Sequence, residues 1–186
     1  MDNPPLYVAI HEAGHAVAML AQQPGPRIDY ISIVDQPADR VGIVHAQARF
    51  QPNLADVAAQ AEGGRPLIER LAWQDAVEFL AGPIAEWRFR KQSKLVRLLT
   101  ARDIASRLAL DNTLLKTGED AEKVLVRLRW RNPDTVEEEF IAAWEESEAL
   151  LKPRWTAVQE LGLWLHRQGR IEDDQLYDWW NTQTSG

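Results

Sequence analysis

Five consecutive residues near the start of the chain combine two histidines with a glutamate, in the order His11-Glu12-Ala13-Gly14-His15. In a helix, positions four apart lie on one face about 5–6 Å from each other, so both imidazoles can bind one Zn²⁺. Zn²⁺ lowers the pKa of a bound water to roughly 7, and a neighbouring carboxylate can accept the proton as that water attacks a carbonyl. The spacing therefore predicts His11 and His15 as zinc ligands and Glu12 as the general base of a hydrolytic enzyme.

Two histidines leave one protein ligand to be found, because catalytic zinc sites commonly use three protein ligands and keep a further position for water. The chain contains no cysteine, so the third ligand must be a histidine or a carboxylate. Spacing alone leaves five candidates open, which are Glu78, Glu86, Asp103, Asp111 and His45.

The composition restricts the class of protein and its partners. A chain of 186 residues with 45% hydrophobic and 26% charged side chains is typical of one soluble globular domain. Its 21 basic and 28 acidic residues give a net charge of −7, which repels a phosphate backbone, so nucleic acid is not expected as a partner. The sequence shows neither a signal peptide nor the ~18 apolar residues of a membrane span, which predicts a cytoplasmic protein.

Periodicity along the chain predicts a predominantly α-helical α+β protein, with residues 1–186 forming a single domain. Residues 1–50 are predicted to contain the zinc helix and a small β-hairpin, whose strands cover 30–34 and 41–46. The polar stretch 51–66 predicts a mobile connection, and 67–186 is predicted to be helical. The helices expected there cover 67–91, with a bend or break at Gly82-Pro83, and 100–110, 119–131, 134–151, 154–167 and 173–181.

The run YVAIHEAGHAVA over residues 7–18 resembles the zinc helix of the FtsH family of AAA-linked metalloproteases. In that family a strand pair, a segment of the type GGRAAEE and a helix bearing the third zinc ligand follow. The run LAGPIAEW over residues 80–87 stands in place of GGRAAEE, and TARDIASRLA over 100–109 is the closest match to the ligand segment TTGAxxDLxxAT. The resemblance implies Asp103 as the third ligand and a supporting role for Glu86.

The resemblance also implies a zincin-like, FtsH-type peptidase domain and the activity of a zinc metalloendopeptidase. Because the ATPase and membrane modules of that family are not present in this sequence, the domain is expected to be ATP-independent in itself. Its expected substrates are peptides or unfolded proteins, and a separate ATPase acting in trans remains open. An extended substrate could add a strand to a sheet edge, for which residues 41–46 are the predicted edge.

The sequence leaves two other functions open. The first is a noncatalytic zinc-binding adaptor or interaction module, against which Glu12 argues because a purely structural zinc site needs no base. The second is a zinc hydrolase that acts on a nonpeptide amide, since activated water attacks many carbonyls.

The adjacent residues Trp179 and Trp180 cannot share one helix face, so they are candidates for a docking or oligomer contact.

Overall fold

The computed structural model describes residues 4–22, 27–34, 42–46, 63–93, 102–103, 106 and 119–184. Within these ranges the chain forms helices joined to a three-stranded sheet. The elements are α1 (Leu6–Ala21), β1 (Ile28–Ser32), β2 (Ile43–Ala46), α2 (Gly64–Phe89), α3 (Glu119–Arg131), a 3-10 turn (Pro133–Thr135), α4 (Val136–Leu151), α5 (Trp155–Gln168), β3 (Arg170–Glu172) and α6 (Asp173–Thr184).

Helix α1 lies at the centre of the fold and carries the His-Glu-x-x-His residues. It packs against α2, α4 and α5, and most of its side chains are buried. This follows from its sequence, because apolar residues occupy nearly every position outside the histidines and the glutamate, and a helix that is apolar all round is a buried helix. Polar groups on such an element need partners, since burial without them is costly.

The sheet covers one side of this core. Its strand order is β2-β1-β3 with antiparallel pairing throughout, and Ile31 of β1 faces Val44 of β2 and Ile171 of β3. The predicted hairpin is therefore confirmed, with β1 starting at Ile28. Strand β3 was not predicted, because three residues give too short an alternation to be recognised in a sequence.

Helix α2 runs unbroken from Gly64 to Phe89 although Pro83 lies inside it. Of the expected bend or break at Gly82-Pro83, the break is therefore wrong. Of the predicted connection 51–66, residues 51–62 lie outside the described residues, and Gly64–Pro66 belong to the first turn of α2 instead. A proline fits there because the first turn of a helix has amide groups without helical partners.

The helices predicted over 119–131, 134–151, 154–167 and 173–181 are confirmed as α3, α4, α5 and α6. The helix predicted over 100–110 lies outside the described residues except for positions 102, 103 and 106. Mostly helical with one small antiparallel sheet, the fold confirms the predominantly helical α+β class. In the described part of the chain, none of the helices has both the length and the apolar character that crossing a membrane requires.

Candidate metal centre

Two imidazoles and one carboxylate converge where α1 meets the first turn of α3. His11 Nε2 and His15 Nε2 lie 3.1 Å apart. Asp120 Oδ2 lies 3.1 Å from His11 Nε2 and 3.2 Å from His15 Nε2. These three atoms therefore form a nearly equilateral triangle of potential metal ligands.

The triangle has the right size for a first-row metal ion. Atoms separated by 3.1–3.2 Å lie about 1.8 Å from their common centre, which is within the ~2.0–2.1 Å at which Zn²⁺ is bound, so all three would be able to reach one ion. The ligand set of two histidines and one carboxylate is one that catalytic zinc sites use. A tetrahedral ion held by these three residues keeps one position for water.

Helix α2 orients both histidines through their other ring nitrogens. His15 Nδ1 donates to the backbone carbonyl oxygen of Glu78 at 2.8 Å, and His11 Nδ1 contacts Glu86 Oε2 at 3.3 Å. With Nδ1 protonated and engaged in this way, Nε2 of each ring is left as the lone-pair atom that can face a metal. Arg90 donates to Glu86 Oε1 at 2.9 Å and so fixes the carboxylate that fixes His11.

Gly82 is the point of closest approach between α2 and the two imidazoles. A Cβ at this position would collide with His15 Nε2 and would lie 2.7 Å from His11 Nε2. Only glycine lets the α2 backbone pass so near the ligand atoms, which accounts for a glycine in the interior of a helix where alanine is intrinsically better by about 1 kcal/mol.

Glu12 is buried beside this group, with 7% of its surface exposed. Burial raises the pKa of its carboxyl group, while the neighbouring imidazoles His11 and His15 act in the opposite direction. A Cβ on Gly42, the residue before β2, would overlap the Glu12 carboxylate. The carboxylate is therefore enclosed between the two histidines and the start of the edge strand β2.

The two charged partners His11 and Asp120 shift each other's titration. Burial opposes the charge on His11, but its contacts with Asp120 and Glu86 outweigh burial and raise the pKa of His11 to about 10. Burial likewise opposes the charge on Asp120, yet the imidazoles of His15 and His11 hold its pKa well below the usual range. In the metal-free protein, the protonated imidazole of His11 thus balances the Asp120 carboxylate.

A buried ion pair docks α3 onto α2 and so brings Asp120 to the histidines. Arg127 Nε and Nη2 both donate to Asp75 Oδ2 at 3.1 Å, and both side chains are almost fully buried. Arg127 Nη1 also donates to the carbonyl oxygen of Lys123 at 2.9 Å. Arg127 lies two turns after Asp120 on the same helix. The Arg127–Asp75 pair therefore helps to set the position of the Asp120 side chain relative to α2.

The structure brings together His11, Glu12 and His15 as the sequence predicted, but it places Asp120 and not Asp103 beside them. Asp103 is solvent-exposed and lies outside the group. Ser106, three residues after Asp103, donates from Oγ to Glu137 Oε1 in the first turn of α4 at 3.0 Å, away from the histidines. The geometry of the described residues therefore favours Asp120 over Asp103 as the third ligand.

The other candidates for the third ligand have different positions. Glu78 contributes its backbone carbonyl to His15, and Glu86 supports His11, as the resemblance implied for Glu86. His45 is exposed on β2 and pairs with Asp29 at 2.8 Å. Asp111 lies outside the described residues.

Asp120 was missed although its helix was predicted. One weak signal was Gly118 just before the predicted helix 119–131, since the resemblance implies a glycine before the ligand helix and the segment 100–109 lacks one. Asp120 itself gave no further signal, because an acidic residue in a first helical turn is common for its interaction with the helix dipole.

Comparison with known proteins gives no family assignment. The chain matches no protein-family model, and no curated protein matches its sequence.

If this group binds zinc, replacing Glu86 by alanine is expected to weaken the binding by about 10–100-fold, the usual cost of removing a group that orients a metal-binding histidine. The reason is that His11 Nδ1 loses its acceptor, so its ring is no longer held with Nε2 toward Asp120. Competition with a chromophoric chelator measures the affinity. Glu138→Ala, which removes an exposed glutamate from α4, is the matched control. An unchanged affinity in Glu86→Ala would show that Glu86 does not orient the ligand.

Proposed function

We propose that this protein is a zinc-dependent metallopeptidase with a zincin-like centre, in which His11, His15 and Asp120 hold the metal and Glu12 is the general base. Its substrates are peptides or unfolded protein segments. The resemblance of residues 7–18 to the FtsH zinc helix supports the proposal, with Asp120 in the position for which that resemblance suggested Asp103.

One observation carries the proposal. Two Nε2 atoms and a carboxylate oxygen lie mutually 3.1–3.2 Å apart, while both Nδ1 atoms are engaged by α2. Two histidines and an aspartate that are partly or fully buried would be an unfavourable arrangement if they served packing alone. A divalent ion gives all three atoms a common partner.

The zinc ion, when bound, supplies a Lewis acid that makes water nucleophilic near neutral pH. Glu12 takes a proton from that water as the water oxygen bonds to the peptide carbonyl carbon. The same carboxyl group then gives the proton to the leaving amine nitrogen as the C–N bond breaks. Burial of Glu12 favours this exchange, because a raised pKa brings a carboxyl group closer to the pH at which it must accept and release a proton.

The position of β2 supports a peptide as the substrate. Among the described strands, β2 is at the sheet edge and pairs with β1 on one side. Its N-terminal neighbour Gly42 touches the Glu12 carboxylate, so a strand added along β2 would pass the general base. Strand addition needs an extended backbone, which favours peptides and unfolded segments over folded proteins.

Incubation of the zinc-loaded protein with unfolded casein and with a mixed peptide library tests the proposal. Cleavage that is lost with a chelator and restored by Zn²⁺ is expected. Zinc binding without cleavage of any peptide would contradict the proposed activity and would favour the adaptor. Release of amines from small nonpeptide amides, with peptides left intact, would favour the nonpeptide hydrolase.

Zinc affinity is expected to rise with pH, by about tenfold per unit, between roughly pH 7 and the pKa of His11 at about 10. A metal binds neutral imidazole, and in the metal-free protein His11 keeps its proton up to that pH. Each ion must therefore displace one proton. Titration calorimetry in buffers of different ionisation enthalpy counts the protons, and a count near zero at pH 8 would refute the expectation.

A further inference from the structure

We infer that Lys123 is a further catalytic residue of the proposed site, whose ammonium group donates a hydrogen bond to the substrate carbonyl oxygen as negative charge develops there. This inference rests on the proposed peptidase function and extends it by a residue for which the sequence predicted no role. Lys123 would transfer no proton, because Glu12 carries the proton in both directions.

Lys123 lies one turn after Asp120 on α3, so both side chains point to the same side of the helix. Its Nζ is 3.4 Å from Asp120 Oδ1, while Oδ2 of the same carboxylate faces the two histidines. The Asp120 carboxylate thus lies between the ammonium group and the two histidines, with one oxygen toward each. At 3.4 Å the contact is long for a charge-assisted hydrogen bond, which is usually about 2.7–2.9 Å.

The surroundings of Lys123 restrain its ammonium group near the site. Nζ lies 5.0 Å from the centre of the Phe79 ring, within the range of a cation–π interaction. The Phe79 ring in turn lies edge-on to the imidazole of His15, with 6.5 Å between ring centres. The carbonyl of Lys123 accepts from Arg127, so its backbone is fixed by the buried pair that docks α3.

The charge balance of the site shows what the positive charge of Lys123 can stabilise. When ionised, Asp120 and Glu12 balance the two positive charges of a divalent ion, and Arg90 offsets Glu86, with which it pairs directly. The charge of Lys123 is additional to this balance, so it can stabilise negative charge that develops on the substrate. Among the described side chains, Lys123 is the cation that touches a ligand carboxylate, and a preorganised donor aimed at developing charge is commonly the largest single contribution to catalysis.

Lys123→Met keeps the length of the side chain and removes its charge, and Lys123→Arg keeps the charge. Lys152→Met, at an exposed position after α4, is the matched control. With a peptide that the wild type cleaves, Lys123→Met is expected to lower kcat by about 10²–10³-fold, as loss of one oxyanion donor does. KM and zinc affinity are expected to stay near the wild-type values, and Lys123→Arg is expected to recover part of kcat.

A second readout does not depend on cleavage. Inorganic phosphate is a tetrahedral oxyanion. Its affinity for the cobalt-loaded protein can be measured from the visible spectrum. Phosphate is expected to bind at least about tenfold more weakly to Lys123→Met, because a charge-assisted hydrogen bond is lost. Imidazole, a neutral ligand, is expected to bind both proteins equally.

The outcomes separate the inference from the function on which it rests. If the wild type cleaves no peptide but phosphate binding depends on Lys123, the peptidase proposal fails and the oxyanion site stands. If Lys123→Met keeps its kcat, or binds phosphate as the wild type does, the inference is wrong. If it loses zinc affinity and regains full kcat at saturating zinc, Lys123 is a positioning residue of Asp120 and the inference is overturned.

Discussion

Replacing Glu12 by glutamine is expected to reduce peptide cleavage by about 10²–10⁴-fold, the contribution usual for a general acid–base group. Glutamine has nearly the same size but cannot take a proton from water or return it to the leaving amine. The metal should remain, because Glu12 lies outside the triangle of potential ligand atoms. Initial rates on one peptide substrate, with zinc content measured on the same samples, give the comparison.

Stability provides an independent check on this variant. Because burial raises the pKa of Glu12, its charged form destabilises the fold at pH values above that pKa, and the neutral glutamine removes this cost. We expect metal-free Glu12→Gln to unfold at the wild-type temperature or higher. Glu138→Gln, at an exposed position on α4, should alter neither activity nor unfolding. Wild-type cleavage by zinc-loaded Glu12→Gln would remove the general base from the mechanism.

Replacing Asp120 by alanine is expected to weaken zinc binding by well over about 100-fold, since changes to residues that merely support a ligand already cost about 10–100-fold. The substitution removes the oxygen that faces both His11 Nε2 and His15 Nε2. It also leaves the proton on His11 without its main counter-charge, so the pKa of His11 should fall toward its ordinary value.

Asp103→Ala is the matched control for this experiment, because Asp103 is an exposed aspartate outside the cluster. Its zinc affinity and activity should equal those of the wild type. Equilibrium dialysis with metal analysis, and the pH titration of the His11 ring by NMR, measure both effects. Loss of zinc from Asp103→Ala with retention in Asp120→Ala would reverse the assignment made from the structure.

The difference between these two aspartates shows what the sequence could predict. The His-Glu-x-x-His group is local, so helical spacing alone places its two imidazoles together. Asp120, the proposed third ligand, is 105 residues from His15 along the chain. Helix 119–131 could be recognised from its periodicity, but periodicity does not say against which helix it docks. That information lies in the buried pair of Asp75 and Arg127, two residues with no distinguishing pattern in the sequence.

The supporting contacts show the same limit. Glu78 was a candidate because it has a carboxylate, but the atom that reaches His15 is its backbone carbonyl, which any residue would supply. Gly82 and Pro83 were expected to bend or break the helix. The structure shows that the missing side chain of Gly82 lets α2 pass close to the imidazoles. Residue types predict chemistry when the side chains are close in sequence, as in His11-Glu12-x-x-His15, and poorly when the contact is distant in sequence or is made by the backbone.

One metal ion is expected between α1 and the first turn of α3. Crystals of the zinc-loaded protein, measured on both sides of the zinc absorption edge, locate such an ion. We predict one anomalous peak about 2.0–2.1 Å from His11 Nε2, His15 Nε2 and Asp120 Oδ2. A map without a peak there, or with the zinc held by other residues, would contradict the account.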